Sequence, residues 1–148
     1  MVSPARSRSP PAYRDNVPAL PWTTVSSPPD PAGACTVFAA QLPLRSYRQM
    51  PHLLWLTLRI RRQLSHAPGL LGYAIDFEIR HKTLWTSSAW TRRTSLAAFD
   101  RAAPHRTAKR ALRHALLAPT FAVWTQRTDQ LPVSWHEARA HLRAVTKL

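Results

Sequence analysis

The stretch Leu71–Ile79 alternates apolar side chains with small or acidic ones more regularly than any other part of the chain. Successive residues of a β-strand point to opposite sides of a sheet, so this period of two predicts a strand with one apolar face. That face is predicted to carry Leu71, Tyr73, Ile75, Phe77 and Ile79. A polar turn, Arg80-His81-Lys82, leads into a second strand over Thr83–Trp90, and the two strands are predicted to form an antiparallel hairpin. We expect the other elements to pack against the stretch Thr83–His105, which begins with this second strand, or to pair with that strand.

The segments around the hairpin predict an α+β fold. In chain order we expect a strand over Cys35–Leu42, a helix over 51–67, the hairpin, a helix from Thr94 or Ser95 to Pro104, a helix over 105–117, a strand over Thr120–Gln126 and a terminal helix that begins at Ser134. This is the ferredoxin-like βαββαβ arrangement with an extra C-terminal helix, an antiparallel sheet with helices on one face. The other face would be bare and apolar, which predicts that a second copy covers it in a homodimer.

Local signals set several of the predicted helix boundaries. Pro51 suits the first turn of a helix, and Pro68-Gly69 should end that helix because glycine supplies a left-handed turn and proline cannot continue it. Thr94 or Ser95 is a suitable N-cap for the next helix. Ser134, followed three residues later by a glutamate, is a capping box for the last one.

Proline is concentrated at the N-terminus. Eight of the 14 prolines fall in the first 31 residues, mixed with Ser, Ala and Arg, a composition that disfavours helix and sheet. We therefore expect residues 1–33 to form a mostly disordered arm and residues 34–148 to form one ferredoxin-like domain of ordinary size. What the arm does, and whether Met1 is the native start, cannot be predicted from the sequence.

The net charge of +14 lies almost entirely outside the arm, because residues 34–148 carry +13. A positive field of this size favours binding of an anionic partner, which could be nucleic acid, an acidic lipid surface, an acidic protein or an anionic small molecule. The plainer interpretation is a basic helical exterior that has no dedicated partner. The single cysteine, Cys35, excludes an intramolecular disulfide and fits a reducing compartment. No apolar run is long enough to span a bilayer and no secretory signal is present, so we expect a soluble protein of the bacterial cytoplasm.

Four segments together resemble the antibiotic-biosynthesis-monooxygenase-like superfamily. They are P-G-L-L-G-Y at 68–73, T-L-W-T-S-S-A-W at 83–90, the A-F pair of the following helix, and P-H at 104–105. The resemblance covers about residues 35–146 and is shared more distantly with haem-degrading monooxygenases and spheroidene monooxygenase. It implies a dimeric α+β barrel, and a monooxygenase-like protein that acts on or binds a hydrophobic conjugated small molecule. Both haem-dependent and cofactor-free members exist, so the resemblance leaves the cofactor open.

The resemblance implies that His105 is a catalytic residue or a haem ligand, and that Trp90 is the wall of the pocket. Strand parity places Thr86 and Ser88 on the same face as Trp90, where they would be the polar groups that orient a ligand, and places Trp85 on the opposite face. The chain departs from the haem-degrading pattern, because Trp90 and His105 are 15 residues apart and the first strand carries no asparagine. The plainer alternatives are a capping or interface histidine and two core tryptophans.

Other chemistries have weaker support in the sequence. Asp76 and Glu78 share a strand face, but with so many arginines in the chain we expect salt bridges rather than acid–base catalysis. No glycine-rich phosphate loop is present, and His136 and His141 are five residues apart, off the spacing of a two-histidine metal face. The sequence thus leaves three functions in order: a monooxygenase-like protein, a non-catalytic binding or interaction module of the same fold, and an RNA-binding protein, for which the usual aromatic signatures are missing.

Overall fold

The computed structural model describes residues 22–30, 32–102 and 105–146. Its strands are β1 (Thr23–Thr24), β2 (Ala34–Pro43), β3 (Leu70–Glu78), β4 (Thr83–Trp90) and β5 (Thr120–Arg127). Its α-helices are α1 (Met50–Leu64), α2 (Arg93–Arg101), α3 (His105–Leu112) and α4 (Trp135–Thr146). This order confirms the predicted ferredoxin-like α+β fold with its C-terminal helix.

Among the described residues the strands form one antiparallel sheet in the order β1-β3-β4-β2-β5. The β3–β4 pair is the predicted hairpin, with Tyr73 opposite Ser88 and Ile75 opposite Thr86. A short 3₁₀ turn joins the strands, and Lys82 closes it in the left-handed conformation. The hairpin therefore occupies the second and third positions of the five-stranded sheet.

Helices cover both faces of the sheet, which corrects the prediction that they share one. On the first face, here the α1 face, Leu53 of α1, Phe99 of α2 and Leu112 of α3 pack against Trp90 and its neighbours. On the second, the α4 face, Ala138 and Leu142 of α4 pack against β2. The α4 face is therefore already buried within one chain, whereas Phe121 and Val123 of β5 stay exposed at the edge of the α1 face.

A β-bulge changes the predicted side of one residue. The pairing with β4 shifts between Leu70 and Gly72, so Leu71 packs into the α4 cluster while Tyr73, Ile75 and Phe77 stay with the α1 face. Ile79 lies in the 3₁₀ turn and is exposed. The extra residue of a bulge reverses the alternation, which a strict period of two cannot anticipate.

Part of the predicted arm is ordered. Thr23 and Thr24 pair with β3, and Trp22 lies so close to Gly72 that a Cβ there would come within 2.4 Å of the indole Nε1. The ordered domain therefore begins before residue 34. The rest of the predicted arm, residues 1–21 and 31, lies outside the described residues.

Helix termini follow the predicted signals unevenly. Gly69 has a φ of 81°, the left-handed conformation predicted after α1. Ser134 Oγ accepts the backbone N–H of Glu137, as a capping box requires. The prediction for α2 is wrong: Arg92 is its N-cap and provides no side-chain hydrogen bond. No helix among the described residues is both long and apolar enough to cross a bilayer.

Candidate functional site

Trp90 lies at the end of β4 on the α1 face and is only 1% exposed. Its indole N–H donates to Ser88 Oγ over 2.9 Å, and Ser88 is itself buried. Thr86, two residues further along the same face, is partly exposed. The two predicted polar groups and the predicted wall thus share one face, but the hydroxyl of Ser88 is already used by the tryptophan.

Phe99 of α2 connects Trp90 to His105. The ring centroids of Trp90 and Phe99 are 5.2 Å apart, and those of Phe99 and His105 are 5.0 Å apart, both in tilted arrangements. These distances are typical of favourable aromatic contacts. The structure therefore brings the two predicted site residues into contact with the same phenyl ring.

His105 is fixed at the first residue of α3 by contacts with two other helices. Its backbone N–H donates to Gln63 Oε1 of α1 over 3.1 Å, and its Nδ1 lies 3.3 Å from Asp100 Oδ1 of α2. Asp100 also pairs with Lys109. Burial lowers the pKa of His105, and the hydrogen bond and charge of Asp100 oppose that shift only in part. Near neutral pH the imidazole is therefore uncharged.

A groove of about 560 Å³ runs between the C-terminal half of α1 and α2. Its walls include Phe99, Ser95 and Ala98 from α2, and Gln63 and Arg62 from α1. Neither Trp90 nor His105 lines it. Both lie directly behind lining residues, Trp90 against Phe99 and His105 against Phe99 and Gln63.

Trp85 lies on the opposite face, as the strand parity predicted. The guanidinium of Arg139 stacks over its ring at 4.3 Å and lies 3.5 Å from Asp76 Oδ2. The indole N–H of Trp85 donates to Glu78 Oε2 over 3.1 Å. Asp76 therefore has the expected salt bridge with an arginine, whereas Glu78 contacts Trp85 and the Nδ1 atom of His81 and no arginine among the described residues. No metal-ligating group of three His, Cys, Asp or Glu residues occurs in the part of the chain that the structure describes.

Sequence reasoning missed two residues that connect the site. In the sequence, Phe99 stands out only as part of the A-F pair of the helix after β4, and nothing there indicates a role for Gln63. The pattern of α2 indicates that Phe99 faces inward, but it does not show which ring it meets. The contact between Gln63 and His105 spans 42 residues, and no local signal could have revealed it.

The lowered pKa of His105 predicts a pH-dependent stability. The unfolded chain binds a proton near the ordinary pKa of histidine, about 6.5, whereas the folded chain resists it. The stabilisation that the neutral His105 side chain adds to the folded state is therefore fully present above about pH 6.5. It is lost as the pH falls through the lower pKa that His105 has in the folded chain. We expect denaturant unfolding at pH 8, 6 and 5 to show a steeper loss of stability for the native chain than for His105→Gln. His52→Gln, at an exposed histidine of α1, should keep the native slope; equal slopes for all three chains would contradict the prediction.

The sequence matches no protein-family model and no curated protein. Solved structures do match. A candidate antibiotic biosynthesis monooxygenase from Nitrosomonas europaea superposes with a TM-score of 0.58 at 13% identity, over 68% of this chain and 94% of that one. A second candidate of the same kind, from Deinococcus radiodurans, superposes with a TM-score of 0.57 at 14% identity, over 67% of this chain and 98% of that one. A cofactor-independent oxygenase from Streptomyces nogalater superposes with a TM-score of 0.54 at 14% identity, also over 67% of this chain and 98% of that one. At such identities the likeness establishes the fold: this chain has the ferredoxin-like fold of antibiotic-biosynthesis-monooxygenase-like proteins.

Proposed function

We propose that this chain is a monooxygenase-like protein that binds a flat, hydrophobic, conjugated molecule in the groove between α1 and α2 and oxygenates it. The observation that carries the proposal is the position of Phe99, which lines the groove and contacts both Trp90 and His105. A mostly apolar cavity with few polar groups is typical of small-molecule sites. The shared fold, which includes a cofactor-independent oxygenase, supports the same reaction class.

The groove residues suit such a ligand. Phe99 offers an aromatic surface with its position fixed from behind by Trp90. Ser95 and Gln63 supply hydrogen-bonding groups, and Arg62 supplies a positive charge for a phenolate or enolate oxygen. In this proposal Trp90 acts through Phe99 as a positioning residue rather than as the wall itself, and Ser88 holds the indole.

His105 is the proposed proton acceptor. A general base must be unprotonated at the working pH, and the lowered pKa of this imidazole meets that condition. The carboxylate of Asp100 beside Nδ1 would stabilise the imidazolium once the proton has been taken up. Access would be at the part of the groove lined by Phe99 and Gln63, since both contact His105.

Without a cofactor, the substrate itself would be the reductant. His105 takes a proton from an acidic CH₂ group of the ring system, and the carbanion transfers electrons to O₂ as a C–O bond forms. The peroxide anion takes that proton back from the imidazolium of His105, and the resulting hydroperoxide loses water when the O–O bond and the second C–H bond break. The carbon becomes a carbonyl that holds one oxygen atom, and the other leaves as water.

Haem fits this arrangement poorly. A tetrapyrrole would need its axial ligand and its flat wall in one cavity, whereas Phe99 lies between His105 and Trp90. Trp90 is buried with its N–H already bonded to Ser88. We therefore assign no step to haem iron. Hemin titration tests this directly: a Soret shift that His105→Ala abolishes would restore the haem hypothesis.

A non-catalytic binding module is the second candidate, and one observation favours it: the proposed base contacts lining residues but does not line the groove. RNA binding has less support, because the central strands β3 and β4 are covered on both faces within the described residues, whereas RNA-binding sheets of this kind stack bases on the aromatic residues of their central strands. A homodimer remains our expectation. Its contact would involve exposed apolar residues of the edge strand β5, Phe121 and Val123, and gel filtration would test it.

Filling the groove should abolish ligand binding. Ala98 lines the groove and its neighbour Ala97 does not, while both are exposed residues of α2. We expect Ala98→Trp to weaken the binding of a tricyclic aromatic ketone by at least about tenfold, the effect of losing a modest part of its buried surface, and Ala97→Trp to leave binding unchanged. Calorimetric titration measures both. Equal affinities in the two variants would place the ligand elsewhere, and binding without O₂ consumption would favour the non-catalytic module.

A further inference from the structure

The outward side of α1 carries an exposed apolar patch. Leu54, Trp55 and Leu58 are 46%, 54% and 61% exposed. They lie on the side of the helix opposite Leu53, Leu56 and Leu64, which are buried against the sheet. A helix that only covers a core has a polar outer side, so three adjacent large apolar residues there indicate a contact surface. The groove described above does not include them.

The surroundings of this patch are positively charged. The guanidinium of Arg59 lies 4.9 Å from the ring centre of Trp55, and Arg62 is exposed one turn beyond Leu58. Together α1, α2 and α3 contain eight Lys or Arg residues and a single acidic residue, Asp100, which is paired with Lys109. The sequence has no acidic residue at all between Asp30 and Asp76. The partner of this surface should therefore be both apolar and anionic.

We propose that the outward side of α1 docks on the surface of an anionic phospholipid membrane. Exposed Leu and Trp side chains flanked by arginines are the pattern of helices that lie in the membrane interface, where the apolar groups enter the acyl boundary and the arginines bind lipid phosphates. A second copy fits less well, since a symmetric α1–α1 contact would bring the arginines of two copies into one interface, where α1 has no acidic residue to pair with them. This proposal does not depend on the ligand in the groove.

Co-sedimentation of the full chain with vesicles tests the proposal. We expect binding to vesicles of phosphatidylcholine and phosphatidylglycerol that weakens with added salt, and little binding to phosphatidylcholine alone. Trp55→Ser with Leu58→Ser should reduce binding by at least about tenfold. Arg59→Gln with Arg62→Gln should reduce it by about fivefold for each charge. Val145→Ser, which removes an exposed apolar residue from α4, is the matched control and should bind as the native chain does.

Three results would overturn the proposal. Native binding by the Trp55→Ser, Leu58→Ser variant would show that the patch is not the contact, and equal binding to neutral and anionic vesicles would remove the role of the arginines. A native dimer that this variant converts to a monomer in the absence of vesicles would assign the patch to a second copy. Far-UV circular dichroism identical to that of the native chain confirms that each variant is folded.

Discussion

Replacing Trp90 with alanine is expected to lower the free energy of unfolding by about 3–5 kcal/mol, the usual range for truncating a large buried aromatic residue. Trp90 is 1% exposed and packs against Phe99, so the variant leaves a cavity between the sheet and α2. It also leaves the buried hydroxyl of Ser88 without its indole partner. Equilibrium denaturation in urea, followed by circular dichroism, measures the loss.

Trp55→Ala is the matched control, because it makes the same chemical change on the exposed side of α1. Its effect should stay within about 0.5 kcal/mol, as for most surface substitutions. Trp90→Phe should fall between the two, since it keeps most of the ring but not the N–H donor. Equal destabilisation by Trp90→Ala and Trp55→Ala would show that Trp90 does not anchor this part of the core.

The sequence predicted the fold best where a signal is local. Strand alternation placed Trp85 and Trp90 on opposite faces, and the structure confirms this. Proline and glycine after α1 predicted a left-handed residue, and Gly69 has that conformation. Each of these features depends on the geometry of a few consecutive residues, which is why a single sequence can reveal it.

Features that depend on packing between distant segments were missed. The bulge at Leu71 reverses one side chain through its pairing with β4. The position of α4 on the second face depends on where the chain crosses the sheet after β5, which amphipathicity alone does not specify. Trp22 follows a proline-rich segment that favours disorder, yet it packs on Gly72, because only a residue without a side chain leaves room for the indole.

In the candidate site, too, the sequence predicted individual residues but not how distant segments pack around them. Trp90 and His105 were selected from the sequence, and the structure places them near one another but with Phe99 between them. The groove itself lies between α1 and α2, two helices separated by the whole hairpin, so its lining could not be predicted. A sequence pattern indicates which residues face inward, whereas the shape of a cavity depends on which inward faces meet.

Replacing Gly69 with alanine is expected to lower the free energy of unfolding by about 2–5 kcal/mol, the sum of two independent effects. A left-handed conformation at a residue with a Cβ costs about 1–2 kcal/mol, and crowding in a packed region adds about 1–3 kcal/mol. Gly69 has a φ of 81°, and a Cβ there would lie 2.5 Å from Ser95 Oγ and 2.9 Å from Thr91 Oγ1. Urea denaturation measures the total, with Gly33→Ala as a control that needs no left-handed backbone.

A double-mutant cycle with Ser95→Gly separates the two effects. Removing the Ser95 side chain relieves most of the crowding but leaves the backbone strain, so Gly69→Ala should cost less in the Ser95→Gly background by about 1–3 kcal/mol. Because Ser95 lines the groove, crowding at Gly69 should also move α2 away from α1. We therefore expect Gly69→Ala to weaken binding of the aromatic ketone under conditions where the chain remains folded. Unchanged binding together with the full loss of stability would mean that the turn adjusts locally, and that the width of the groove does not depend on Gly69.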